Sequence, residues 1–384
     1  MRWEFATATR VIFGPGTRRE IGAVARKFGQ RALVVTGSHP ERAAELLDLL
    51  QAAGLEATVF TVAGEPAAAV AEQGATRARE QGCELVVAIG GGSALDAGKA
   101  MAALATNPGP VMNYLEVVGR GRPLDAAPLP FIAVPTTAGT GAEATRNAVL
   151  AVPEHRVKVS LRSPLMLPRL AVVDPELTLG VPPAVTATTG LDALTQLVEP
   201  YLSCRANPCT DALCAAGIPL AARALPRAFA NGDDLAARTA MAQASLWSGM
   251  ALANAGLGAV HGLAGPIGGQ FAAPHGAVCA ALLPSVLASN WRAVRERAGS
   301  GDLAARFIAV ARWLTGNERA VVEDALDWLT GKLRDFGIPS LRHHGIAESH
   351  FSALATQAAA ASSMHGNPVP LTPPELMAIL RAAW

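Results

Sequence analysis

Two patterns of apolar and polar residues divide the chain. Up to about residue 178, short β-branched and aliphatic runs alternate with amphipathic stretches. The apolar runs are RALVVTG, ATVFTVAG, ELVVAIGGG, PFIAVPTT, NAVLAV and LAVVDPE; ERAAELLDLLQAAG and AAAVAEQGATRAREQG lie between them. Buried strands alternating with helices predict a mostly parallel, Rossmann-like sheet covered on both faces. Beyond Leu179 the β signal fades. Long alanine- and leucine-rich segments such as AVTATTGLDALTQLVEPYL and LAARTAMAQASLWSGMALANAG predict helices. The expected organisation is an α/β dinucleotide-binding domain over residues 1–178 and an all-α metal and substrate domain over 179–384. A proline-marked hinge is expected at Leu177–Pro183.

One run in the second half breaks the pattern. Residues 258–284, GAVHGLAGPIGGQFAAPHGAVCAALLP, contain no Lys, Arg, Asp or Glu, yet they hold His261 and His275. Such a run belongs in a protein interior. A buried imidazole needs a hydrogen bond, a carboxylate or a metal. The glycines cost about 1 kcal/mol each inside a helix relative to alanine, a cost that points to close helix contact or room for a ligand. Upstream, Asp192 stands in a largely apolar, helix-like segment. One carboxylate and two imidazoles suit a divalent ion such as Zn or Fe(II) with positions left open. The competing reading is that each histidine is a satisfied core residue.

Three loops in the first half carry chemistry. ELVVAIGGGSALDAGKAMA reads as strand, glycine loop and helix. Gly90, Gly91 and Gly92 let backbone amides approach a phosphate at the helix N-terminus, with Ser93 expected to cap the helix and Asp96 and Lys99 on it. The loop lacks both the G-x-G-x-x-G fingerprint and the Walker pattern. In FIAVPTTAGTGAEAT, Thr136, Thr137 and Thr140 offer hydroxyls at the carboxyl end of a strand, where a nucleotide binds in open α/β sheets. After RALVVTG, where an acidic residue often holds the adenosine ribose, the chain has Gly37 and Ser38.

Composition narrows the classes. The chain of 384 residues is 51% hydrophobic and 16% charged, which describes a compact globular protein. A net charge of +1 with scattered Lys and Arg offers no case for nucleic acid or an anionic membrane. The first residues lack the apolar core of a signal peptide, and no uninterrupted apolar run of about 18 residues predicts a membrane span. The five cysteines, Cys83, Cys204, Cys209, Cys214 and Cys279, read as reduced thiols of a cytoplasmic protein. Cys204, Cys209 and Cys214 do not share a helix face and read as small thiols, not as a cluster.

Together these motifs resemble the iron-containing, group III alcohol dehydrogenase superfamily. The resemblance runs from RVIFGPGT through AIGGGSALDAGKA, VPTTAGTGAEAT, VVDPELT, TGLDALT and VHGLAGPIGGQFAAPHG to HGNPVPLTPPELMAIL. It implies hydride transfer between a small alcohol and its aldehyde or ketone with NAD or NADP, in the cleft between the two domains. It places Gly91, Gly92, Ser93 and Asp96 at the pyrophosphate and nicotinamide. Thr136, Thr137 and Thr140 fall on the adenosine and phosphate side, Lys158 near the cofactor, and Asp192, His261 and His275 at metal positions. Members are often dimers or larger homo-oligomers.

Two positions depart from the resemblance. A histidine ligand one turn after the aspartate is Gln196 here, and a histidine four residues after the first is Gly265. The expected site therefore holds Fe or Zn through Asp192, His261 and His275, with the Gln196 amide oxygen as a weak fourth donor and a readily lost ion. The alternative is a metal-free, maleylacetate reductase-like enzyme in which His261 and His275 polarise the carbonyl of an oxoacid. A further alternative is an inactive nucleotide-binding relative. With no carboxylate at Gly37, NADP(H) is expected to be accepted at least as well as NAD(H).

Overall fold

The computed structural model describes residues 2–298 and 301–384. It divides into two compact units, Thr7–Leu179 and Gly180–Trp384, and the N-terminal segment ending at Ala6 packs with the second. The expected first domain, residues 1–178, includes that segment, whereas here it groups with the helices. Asn254 of the helical unit holds it by a reciprocal pair: the Ala6 N–H donates to Asn254 Oδ1 at 2.7 Å and Asn254 Nδ2 donates to the Ala6 carbonyl at 2.8 Å.

The first unit is built on a six-stranded parallel sheet. Its strands are β1 (Val11–Phe13), β2 (Arg31–Thr36), β3 (Glu56–Thr61), β4 (Leu85–Gly90), β5 (Phe131–Pro135) and β8 (Leu170–Val173), in the order β1-β8-β5-β4-β2-β3. β4 and β5 are buried at every position, and β2 at all but its first, so these strands read as unbroken apolar runs. The edge strand β3 alternates in exposure. Helices α1 (Ile21–Ala25), α2 (Ala44–Ala52), α3 (Ala68–Glu80) and α4 (Gly92–Thr106) belong to this unit. One core joins α1 and α2 to the sheet through Ile21, Leu46, Leu50, Val34 and Val87. A second joins α3 and α4 to it through Ala78, Leu95, Met101, Val35 and Ala88.

NAVLAV is not a strand of the parallel sheet. It forms β6 (Asn147–Val152), which pairs antiparallel with β7 (Val157–Arg162) as a separate hairpin. Its alternating exposure is that of a half-buried ribbon, and Ala148, Leu150 and Val152 pack against α3 and α4.

The helical unit contains α5 (Pro183–Leu202), α6 (Pro208–Ala230), α7 (Leu235–Ala255), α8 (Ala259–Gln270), α9 (His275–Ala293), α10 (Asp302–Thr315), α11 (Val322–Asp335), α12 (Phe351–Ala360) and α13 (Pro373–Ala382). α9 packs on both α5 and α8. The stretch His275–Arg297 is long and apolar enough to cross a membrane, but 72% of its most apolar window is buried inside the protein. It is a core helix, and that burial accounts for its apolarity.

Candidate active site

The nucleotide-type loops of the first unit converge by strand order. β2, β4 and β5 are adjacent and parallel, with Thr36 opposite Ile89 and Gly90 opposite Pro135. The segments that follow, Gly37–Ser38, Gly91–Ser93 and Thr136–Thr140, therefore leave the same edge of the sheet. α4 starts directly after β4. Its N-cap is Gly91 and no side chain caps it, so Ser93 lies inside the first turn and does not have the capping role expected of it. The first N–H groups of α4 are the kind of donors that a phosphate accepts from. A Cβ on Gly92 would stand 2.6 Å from Thr140 Cγ2, so only glycine admits this approach of loop to loop. A Cβ on Gly37 would meet nothing within 4 Å.

Other residues of this unit are anchored locally. Asp96 accepts a hydrogen bond from the Val149 N–H at 3.0 Å, and its other oxygen lies 3.7 Å from Lys99 Nζ. The Lys99 ammonium is fully buried and donates to the Ala142 and Asn147 carbonyls and to Thr145 Oγ1 at 2.7–2.9 Å, tying α4 to the threonine loop. Burial lowers its pKa, against the pull of Asp96 and Glu143. Burial also pushes the Glu143 carboxyl up to about 7. Lys158 is on β7, paired with Glu65.

In the helical unit, α5 carries Asp192, Gln196 and Glu199 at spacings of four and three, on one helix face. All three are buried. α8 brings His261 in its first turn, and α9 begins with His275. A Cβ on Gly276 would meet the Thr188 carbonyl at 2.5 Å, so this glycine lets α9 start hard against α5. His261 Nε2 lies 3.4 Å, and His275 Nε2 3.9 Å, from Asp192 Oδ1. Cys279, one turn along α9 from His275, places Sγ 3.6 Å from His275 Nε2 and 3.8 Å from His261 Nε2. The ligand atoms of these four residues all lie within 4.8 Å of one another.

The cluster fits a cation by its own chemistry. Asp192 Oδ1 is buried and has no hydrogen-bond partner, a costly state for a carboxylate oxygen. The opposite face of His261 is held in place: Nδ1 lies 2.6 Å from Glu199 Oε2, while Glu199 Oε1 accepts the Val260 N–H at 2.7 Å. This carboxylate–histidine pair directs Nε2 into the cluster and is the usual support of a metal-bound imidazole. Burial opposes the charged form of His261, but Cys279, Glu199 and Asp192 outweigh it and raise its pKa well above the ordinary value. Cys279, working against burial, pushes His275 up to about 8. Burial raises and the two imidazoles lower the Asp192 pKa, and the imidazoles prevail. The raised imidazole pKa values and the lowered Asp192 pKa mark a site that favours positive charge, which a divalent cation supplies. His275 is 39% exposed along its side chain, which leaves one side of the cluster accessible.

Gln196 does not offer its amide oxygen as a donor, contrary to expectation. Its Nε2 donates to Asp192 Oδ2 at 3.0 Å, and its Oε1 accepts from Ser248 Oγ at 2.9 Å. It orients Asp192 from outside the cluster and leaves Oδ1 as the free oxygen. Gly265 faces open space, with nothing within 4 Å of a Cβ built there.

Comparison with known proteins identifies the family. The sequence pattern described as iron-containing alcohol dehydrogenase matches residues 8–175, and that of the C-terminal part of the same family matches residues 186–384. The chain belongs to the iron-containing alcohol dehydrogenase family. It is similar to the 1,3-propanediol dehydrogenase of Klebsiella pneumoniae, 37% identical over 382 residues that span 97% of this chain and 96% of that one. It is 33% identical to the NAD-dependent methanol dehydrogenase of Bacillus methanolicus, covering 97% of both chains. The solved structure of a 1,3-propanediol oxidoreductase superposes with a TM-score of 0.91 at 35% identity, covering 100% of both chains. The chain is thus an oxidoreductase of the iron-containing alcohol dehydrogenase type, and the α/β plus helical architecture is that of the family. Nothing in these relatives favours the metal-free reading.

Four residues of the family member's site were not singled out by sequence reasoning: Glu199, Ser248, Cys279 and Asn367. Asn367 Oδ1 accepts the Ala259 N–H at 3.0 Å at the start of α8, which gives the closing HGNPVPL motif a structural role. Glu199 carried a readable signal, since it follows Asp192 by two helical turns in an otherwise apolar segment.

Proposed function

We propose that this chain interconverts a small alcohol and its aldehyde or ketone with NAD(P), using a divalent metal held by Asp192, His261 and His275. The observation that carries the reading is the orphaned Asp192 Oδ1 facing two imidazoles, one of them fixed from behind by Glu199. A divalent ion in this set supplies Lewis acidity to an alcohol or carbonyl oxygen, and the nicotinamide carries the hydride.

The chain's own residues do the positioning. Glu199 holds the proton on His261 Nδ1, so that Nε2 keeps its lone pair for the cluster. Gln196 and Ser248 hold Asp192 in one orientation. The bare N-terminus of α4, with Gly91, Gly92 and Ser93, receives the pyrophosphate, and Thr136, Thr137 and Thr140 line the same sheet edge. Lys99 ties α4 to the threonine loop, and Asp96 ties it to β6. Lys158, paired with Glu65, takes the cofactor-side role that the family resemblance implies. Gly37 and Ser38 leave the adenosine ribose unopposed by a carboxylate, which supports acceptance of NADP(H) as well as NAD(H). The substrate is a small molecule. Five free cysteines support a cytoplasmic, reducing location.

The test is metal quantitation on the purified protein with an alcohol and aldehyde screen using both cofactors. Turnover that is lost on chelation and restored by added Zn or Fe(II) is the expected result. Full turnover after exhaustive chelation would overturn the metal role. Light scattering on the same preparation measures the homo-oligomer that family resemblance leads us to expect.

A further inference from the structure

We propose that Cys279 is a fourth metal ligand, and that the resulting set of one carboxylate, two imidazoles and one thiolate selects zinc over Fe(II). The inference rests on the metal reading above and adds a donor that the family resemblance did not supply. In this chain the position one turn after the aspartate cannot serve, because both ends of the Gln196 amide are engaged, by Asp192 and by Ser248. The missing donor comes from a different helix. His275 and Cys279 are four residues apart on α9 and therefore share a face, and Cys279 is fully buried with a free thiol.

The spacing agrees with coordination. With Zn–S near 2.3 Å and Zn–N or Zn–O near 2.0–2.1 Å, a tetrahedral site places sulfur and nitrogen about 3.6 Å apart and nitrogen and oxygen about 3.3 Å apart. Cys279 Sγ stands 3.6 and 3.8 Å from the two Nε2 atoms, and Asp192 Oδ1 stands 3.4 and 3.9 Å from them. The second, independent observation is the buried, unpartnered Asp192 Oδ1 in the same cluster. Cys214 shows what a merely structural thiol looks like here. It is equally buried, but it belongs to none of the groups that could hold a metal among the described residues. Thiolate favours zinc, and zinc stands above Fe(II) in the affinity order of divalent ions for a given site.

The experiment uses the full chain, stripped of metal and reloaded with Co(II) as a spectroscopic stand-in for zinc. The unmodified protein and Cys214→Ala are expected to show thiolate-to-cobalt charge-transfer absorption in the near ultraviolet, and Cys279→Ser is expected to lack it. X-ray absorption on the zinc-loaded unmodified protein is expected to show one sulfur neighbour near 2.3 Å. Chelator competition should show Cys279→Ser binding zinc at least ~10-fold more weakly, a first-ligand loss being no smaller than loss of a supporting residue. Its preference for zinc over Fe(II) should narrow. Stoichiometric Co(II) binding by the unmodified protein with no charge-transfer band and no sulfur neighbour would overturn Cys279 as a ligand while leaving the metal site intact. Failure of the unmodified protein to bind Co(II) or zinc at all would overturn the metal reading itself, and this proposal with it.

Discussion

Glu199 is the residue behind His261, and its replacement by glutamine gives a worked test of the site. The carboxylate accepts two hydrogen bonds, from the Val260 N–H at 2.7 Å and from His261 Nδ1 at 2.6 Å. Glutamine keeps the shape but has one acceptor oxygen. Its NH2 must then face one of the two donors. If it faces His261, the ring loses the partner that holds its proton on Nδ1; if it faces Val260, the first turn of α8 keeps a buried N–H unpaired. Either outcome costs about 1–3 kcal/mol, the penalty for stranding a buried polar group. Loss of a supporting carboxylate behind a metal-bound histidine lowers metal affinity about 10–100-fold, or about 1.4–2.7 kcal/mol. The two estimates agree in size, so Glu199→Gln is expected to weaken zinc binding by at least ~10-fold and to lower the unfolding midpoint as well. Competition against a chromophoric chelator measures the first and thermal unfolding of the metal-free protein the second. Zinc affinity within about twofold of the unmodified protein, with an unchanged midpoint, would refute the role given to Glu199.

Two further expectations concern the sheet unit. Gly37→Asp adds a carboxylate where a Cβ meets nothing within 4 Å, so the change is sterically free and acts through charge; kcat/KM should move toward NAD(H) relative to NADP(H) by ~10-fold or more, about 1.4 kcal/mol, and an unchanged ratio would sink the assignment of this loop to the ribose. Glu143 has its pKa raised by burial from 4.5 to about 7, so the folded state favours its neutral form. The stability that its protonation contributes is fully present below pH 4.5 and is lost as pH rises toward 7. Glu143→Gln keeps a neutral side chain throughout. It should therefore gain on the unmodified protein between those pH values, by up to about 3 kcal/mol at pH 8. Denaturant unfolding across pH 5–8 reads this, and a stability difference that does not change with pH would count against it.

The fold was legible where burial imposes a simple pattern. β2, β4 and β5 are apolar through most of their length because they are covered on both faces, and the glycine and threonine loops follow them directly. β1 was missed because three residues at a sheet edge carry too little pattern to stand out from a loop. β6 was read correctly as a strand but assigned to the wrong sheet, since pairing partner and direction are properties of contacts distant in sequence. Asp192, His261 and His275 were legible because polar groups in apolar segments are conspicuous. Cys279 was not, because a cysteine among alanines and leucines looks like core. The orientation of the Gln196 amide depends on Ser248, fifty-two residues away, and no spacing rule reports that.

The path of the chain has a consequence for synthesis. Residues through Ala6 pack with the helices, residues 7–179 form the sheet unit, and the chain then returns to the helices for good. The sheet unit is therefore an insertion, and its two ends are neighbours, because β1 and β8 pair with Val11 opposite Ala171. A ribosome releases this insertion whole, and it is able to close before α5 exists. The segment ending at Ala6 must wait for Asn254, 248 residues further along the chain, before it finds these hydrogen bonds. A helical unit expressed on its own from Gly180 would lack them, leaving Asn254 without its Ala6 partner. A fragment 7–179, in contrast, starts and ends beside paired strands and is the piece suited to independent expression.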